Sequence, residues 1–211
     1  KDEIIFLYEI NAPIEGFGYQ RDPRIKELRD KRDSEEDMLV VLDCTKDQIA
    51  HSVFQTNENT KAYLGKLEPG VFDIIKQYNI ENVYTTFPEG KIRSQNLEIG
   101  GRTSKQLEAE LKENKINISD YAQDMLRSKD FSVSQKSENL TLVRLKVKDL
   151  GFTREPTTDE LYAKAKQLGL DLCPAEVGPH LRLQYEDQPL GEWIYIAMKQ
   201  ITDRVGFPVV F

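Results

Sequence analysis

The sequence predicts an α/β protein, with a Rossmann-like parallel sheet in the N-terminal half and an antiparallel α+β C-terminal half. Three observations carry this expectation. Short apolar runs alternate with helical patterns over the first half, residues 128 to 139 are polar and without period, and the chain beyond them returns in half-exposed alternating runs. Strand, helix, strand order implies parallel neighbours, because parallel strands need long crossovers. The expected division is a Rossmann-like region over residues 1–127 and an α+β antiparallel region over residues 140–211, as separate domains or over one shared core.

In the first half, residues 4 to 8 (IIFLY) read as a strand buried on both faces. Asp22-Pro23 supplies a cap and a first-turn proline for a helix reaching about Arg32. Residues 33 to 37 (DSEED) read as a solvated turn, and Met38 to Asp43 (MLVVLD) as the clearest strand. Thr45 and Gln48 form a capping box for a short helix with Ile49, Val53 and Phe54 inward. Pro69 opens a helix rich in apolar residues, Asn82 to Phe87 reads as a third strand, and Thr103 with Gln106 begins a helix carrying Leu107 and Leu111.

In the second half, Ser119 caps a helix with Ile118, Tyr121, Ala122, Met125 and Leu126 at helical spacing. Leu140 to Val147 alternates like a half-exposed strand. Thr157 and Glu160 box a helix that Gly169 stops in a left-handed conformation. Two further strands are expected at Leu181 to Tyr185 and Trp193 to Met198, with a turn at Pro189 and Gly191.

Composition narrows the function classes. With 211 residues and 39% hydrophobic content, the chain can bury a substantial core. A net charge of −7 opposes attraction to nucleic-acid backbones and anionic membranes, so neither is an expected partner. Six cations between Arg21 and Arg32 are offset by Asp22, Glu27 and Asp30 and by the acidic run that follows, which makes a solvated helix face. No apolar run approaches the roughly 20 residues of a membrane span. Two cysteines, Cys44 and Cys173, cannot form a disulfide framework for a chain of this length. The expected location is therefore cytoplasmic, with both thiols free, and two histidines with two cysteines give no structural zinc site and no assigned cofactor.

Ligands of open parallel sheets lie beyond the carboxyl ends of the strands. The candidates there are Glu9 and Asn11, then Asp43 and Thr45, then Thr85, Thr86 and Glu89. Asp43 is the foremost, since an acid ending an apolar strand can hold a ribose hydroxyl, a metal ion or a catalytic proton; capping the next helix is the plainer alternative. Gly100-Gly101-Arg102-Thr103-Ser104-Lys105 brings flexible amides and two cations, Arg102 and Lys105, to a helix start, a combination suited to phosphate, although it matches neither a Walker loop nor a dinucleotide fingerprint. Cys173, Glu176 and His180 lie close together in sequence and suggest a thiol with a base, against the plainer reading of a turn around a buried thiol. Trp193, Tyr195, Tyr185 and Tyr162 suit an aromatic pocket or the core, and at strand spacing the core is the expected place.

The runs DLGF from Asp149, TTDELY from Thr157 and LGLDLCPAEVGPHLRLQYEDQPLGEWIYIAMKQITD from Leu168 resemble a bacterial protein family of unassigned activity, and the segments from Leu42 to Phe72 and from Ile118 to Leu126 resemble parts of the same family. The resemblance implies further residues after the position of Phe211 and transfers no functional residue. Three functions are thus expected in order: binding of a small phosphorylated or nucleotide-like ligand at the strand ends through Asn11, Asp43, Thr45, Thr86, Arg102 and Lys105; a non-enzymatic protein-interaction module presenting a C-terminal edge or aromatic face; and a cysteine-dependent hydrolase using Cys173.

Overall fold

The computed structural model of the protein describes residues 33–211 apart from 187, 189, 190, 204 and 205. The strand expected at residues 4 to 8 and the helix from Asp22 to Arg32 lie outside the described residues. The chain is a mixed α/β protein with a five-stranded sheet in the order β1-β2-β3-β4-β5 and a separate two-stranded sheet. It divides into two compact units, each built from two stretches: residues up to Arg93 with Val143–Asp171, and Ser94–Leu142 with Leu172–Phe211.

In the first unit, α1 spans Ser34–Val41, so the strand expected over Met38 to Asp43 is in fact helical, and the expected turn at residues 33 to 37 is its start. A short apolar run does not distinguish a strand from a buried helix, and here the cap decides. The Asp33 carboxylate accepts the N–H groups of Glu35 at 2.8 Å and Glu36 at 3.2 Å. Glu35, Glu36 and Asp37 then place negative charge against the positive end of the helix dipole.

The expected helix through Ile49, Val53 and Phe54 is also absent. Thr45 N–H does bond Gln48 Oε1 at 3.1 Å, but the result is two 3-10 turns, Lys46–Gln48 and Val53–Gln55, on either side of β1, Ile49–Ala50. Side chains take the amides that a helix would need: His51 N–H goes to Gln55 Oε1 at 2.7 Å and Val53 N–H to Glu68 Oε2 at 2.7 Å. Phe54 is left 97% exposed.

Strand β2, Ala62–Leu64, lies parallel to β1 and to β3, Asn82–Tyr84, with Tyr63 opposite Ala50 and Val83. Helix α2, Val71–Gln77, makes the crossover between β2 and β3. Strand β4, Lys91–Ile99, is antiparallel to β3 and has no counterpart in the expected elements, since the polar residues within KIRSQNLEI hide its period. The parallel pairs are therefore real; of the strands expected to form them within the described residues, that at Asn82 takes part and that at Met38 is helical. Beyond β5, Glu138–Arg144, comes α5, Thr158–Gln167, with the expected Thr157 and Glu160 box. Its last carbonyls, those of Gln167 and Leu168, accept the N–H groups of Gly70 at 2.8 Å and Phe72 at 2.9 Å, so the orphan groups of two helix ends satisfy each other. Leu168 joins Tyr63, Val71, Phe72, Ile80, Val83 and Ile92 in the core.

In the second unit, α3 spans Ser104–Glu113 and α4 spans Asp120–Arg127, both with the caps expected at Thr103 and Ser119. Helix α6 spans Val177–Gln184, so Leu181 to Tyr185 is not a strand. Val177, His180 and Leu181 recur at helical spacing and are buried, and Pro179 falls in the first turn, where a missing N–H costs nothing. The short pair β6, Ile201–Thr202, and β7, Pro208–Val209, is antiparallel. Residues 193 to 198, expected as a strand, form none: the run makes a single bridge between Met198 and Cys173, although burial alternates along it.

Glu108 of α3 is clamped by Lys112 at 2.6 Å and by Arg127 at 2.5 Å, and hydrogen bonds from these cations hold its carboxyl down to about 2 from the ordinary 4.5. A lowered folded-state value means that this contribution is complete above pH 4.5 and is lost as acid approaches about 2. Thermal melting between those limits is expected to fall more steeply for the wild type than for Glu108→Gln; parallel curves would show that the clamp contributes nothing.

Candidate functional site

The residues nominated for a small ligand are dispersed along the fold. Asn11 and Glu9 lie outside the described residues. Asp43 does not end a strand; it is exposed in the turn after α1 with φ 47°, and its backbone carbonyl accepts Lys61 Nζ at 3.0 Å. Thr45 leads into β1, whereas Thr85 and Thr86 follow β3, and β1 and β3 both run parallel to β2. Thr86 is exposed, and its carbonyl accepts Gly90 N–H at 2.8 Å while Thr85 N–H bonds back to the Gly90 carbonyl at 2.8 Å. Glu89 is half-buried within that same loop. Arg102 and Lys105 belong to the other unit.

Three donors of the Gly100 to Lys105 segment nominated for phosphate are engaged within the protein. Gly100 N–H donates to Glu176 Oε2 at 3.0 Å, Gly101 N–H to the Ser134 carbonyl at 2.9 Å, and Arg102 Nε to Glu110 Oε1 at 2.9 Å. Lys105 is exposed. The glycine pair thus serves a turn packed on its neighbours: Gly100 has φ 82°, and a Cβ there would meet the Lys136 carbonyl oxygen at 2.1 Å.

Glu176 is the residue whose role the sequence does not reveal. It is 1% exposed, and its carboxylate also accepts Ser134 N–H at 2.8 Å through Oε1, so one side chain joins the Gly100 turn, the Ser134 loop and the start of α6. His180 follows one turn later, also 1% exposed, with Nε2 at 3.5 Å from Glu176 Oε2 and without a hydrogen bond. The only signal in the sequence is a glutamate four residues ahead of a histidine beside a proline-rich turn.

Cys173 is half-buried, and burial pushes its thiol pKa up, opposite to what a thiolate nucleophile requires. Its amide bonds the Ala197 carbonyl at 2.7 Å, which accounts for it as a seat for the extended segment. His51 is exposed, with Nδ1 at 3.0 Å from the Leu64 carbonyl. Among the described residues, no three His, Cys, Asp or Glu side chains gather as a metal site, and no helix is long and apolar enough to cross a membrane.

Trp193 and Tyr195, expected in the core, are instead 83% and 78% exposed. They alternate with Ile194, Ile196 and Met198, which pack into the second unit's core. The period of two is present, but it buries one face of the run rather than both. Neither a protein-family model, nor a curated protein, nor a solved structure matches the chain. Its functional reading accordingly rests on geometry.

Proposed function

We propose that this chain is a protein-interaction module that takes an extended segment of a partner protein along residues 193 to 195. The observation supporting it is the pair Trp193 and Tyr195, 83% and 78% exposed in a run whose alternate residues, Ile194 and Ile196, pack into the core. Such aromatics supply large contact area at low entropic cost and dominate many docking surfaces. No hydrogen bond joins the backbone of Trp193, Ile194 or Tyr195 to another described residue. An added strand would satisfy those groups while its alternate side chains cover the rings. The small-ligand reading has less support, since the Gly100 and Gly101 amides and Arg102 already have partners.

Trp193 is the single tryptophan, so its emission reports directly on this surface. Displayed random peptides are selected on the wild type and then measured against Trp193→Ala and Tyr195→Ala. The expected result is a blue-shifted emission on binding and about tenfold or greater weakening in each variant. Selected peptides that bind both variants as tightly as the wild type would overturn the proposal, and a concentration-dependent blue shift without peptide would replace the partner with a second copy of the chain.

A further inference from the structure

We infer that Glu176 and His180 form an acid-sensitive latch, in which a proton taken up by His180 releases the Gly100 turn and the Ser134 loop held by the Glu176 carboxylate. The geometry is specific. Glu176 Oε2, the oxygen 3.5 Å from His180 Nε2, is the same atom that accepts Gly100 N–H at 3.0 Å. Neutral His180 makes no demand on it, because Nε2 carries no hydrogen bond. An imidazolium donates from Nε2, and in a site 1% exposed the Glu176 oxygen at 3.5 Å is positioned to accept. A carboxylate oxygen can accept from both donors, but closing the 3.5 Å gap to the imidazolium requires the Glu176 carboxylate to shift from the position in which it holds Gly100 N–H and Ser134 N–H.

The charges around the imidazole come from two directions. Glu176 on its own helix and Glu110 of α3 favour the proton, whereas Arg102, paired with Glu110 at 2.9 Å, opposes it. Burial outweighs them, and the His180 pKa is held below its ordinary 6.5. With a lowered folded-state value, the stability that neutral His180 contributes is complete above pH 6.5 and falls away as the pH drops toward the folded value. This window opens at a higher pH than the one governed by Glu108, 6.5 against 4.5.

Helix α6 also reaches the extended segment. Gly178 lies so close to the Phe211 ring that a Cβ would meet it at 2.6 Å, and the Phe211 carbonyl accepts Ile196 N–H at 2.8 Å. These contacts join α6 to the run bearing Trp193 and Tyr195.

His51 and His180 are the only histidines, so proton NMR with His51→Gln to assign them follows each imidazole. His180 is expected to titrate with a midpoint below 6.5. The amides of Gly100 and Ser134, corrected for intrinsic exchange, are expected to lose protection through the pH range in which the His180 imidazole titrates in the wild type and to keep it in His180→Gln. A midpoint at or above 6.5, or equal protection of both amides across that range in the wild type, would overturn the latch. The wild-type measurements decide the matter even where the variant does not fold.

Discussion

Gly100→Ala is expected to destabilise the fold by about 2–5 kcal/mol, read as a lowered midpoint in urea unfolding. Two costs combine. The backbone at Gly100 sits at φ 82°, a left-handed conformation that costs an L-residue about 1–2 kcal/mol. The added methyl would also stand 2.1 Å from the Lys136 carbonyl oxygen and 3.0 Å from its carbon, and a backbone neighbour cannot rotate away. Gly101→Ala is the internal control. Gly101 shares the positive φ, at 68°, but its nearest neighbour would be Ser137 N at 3.8 Å, so only the conformational cost of about 1–2 kcal/mol applies. Equal losses in the two variants would mean that the contact with Lys136 does not constrain the turn.

The second large effect is expected from Glu176→Ala, at about 2–6 kcal/mol. The substitution strands two amide donors, Gly100 and Ser134, and a buried donor without an acceptor loses about 1–3 kcal/mol. Glu176→Gln retains one acceptor oxygen and is expected to lose about half as much. Amide exchange distinguishes this from a general loosening: Gly100 and Ser134 should lose protection before the interior of α4. Uniform loss over the second unit would assign Glu176 to packing alone.

Helices whose first turn is announced by side-chain chemistry are legible in the sequence. Thr103 with Gln106, Ser119, and Thr157 with Glu160 each mark a start that the structure reproduces. Apolar runs are less legible, because their period is ambiguous over few residues. Met38 to Val41 carries β-prone side chains yet is helical, since Asp33 and three acids organise its first turn. Leu181 to Tyr185 misleads for the same reason, its helical neighbours Val177 and His180 lying before the run. Strand β4 stays hidden because Ser94, Gln95 and Asn96 interrupt its alternation. At the candidate site, the exposure of Trp193 is not legible, as a period of two fixes that faces alternate and not which of them is covered. The latch is half legible: Glu176 and His180 share a face at four-residue spacing, but their partners Gly100 and Ser134 are 76 and 42 residues from Glu176.

Each unit draws on two separated stretches of chain, so the first core closes late in synthesis. The core that begins with Ala50 and Tyr63 is complete only when Leu168 arrives, well after Ile92. At ribosomal rates of about 5–20 residues per second, that interval is about 4–15 seconds. Throughout it the nascent polypeptide presents Val71, Phe72 and Val83 without their closing neighbour. Chaperone demand from this first core should therefore end at the emergence of Leu168, and a ribosome stalled short of it should hold an aggregation-prone chain.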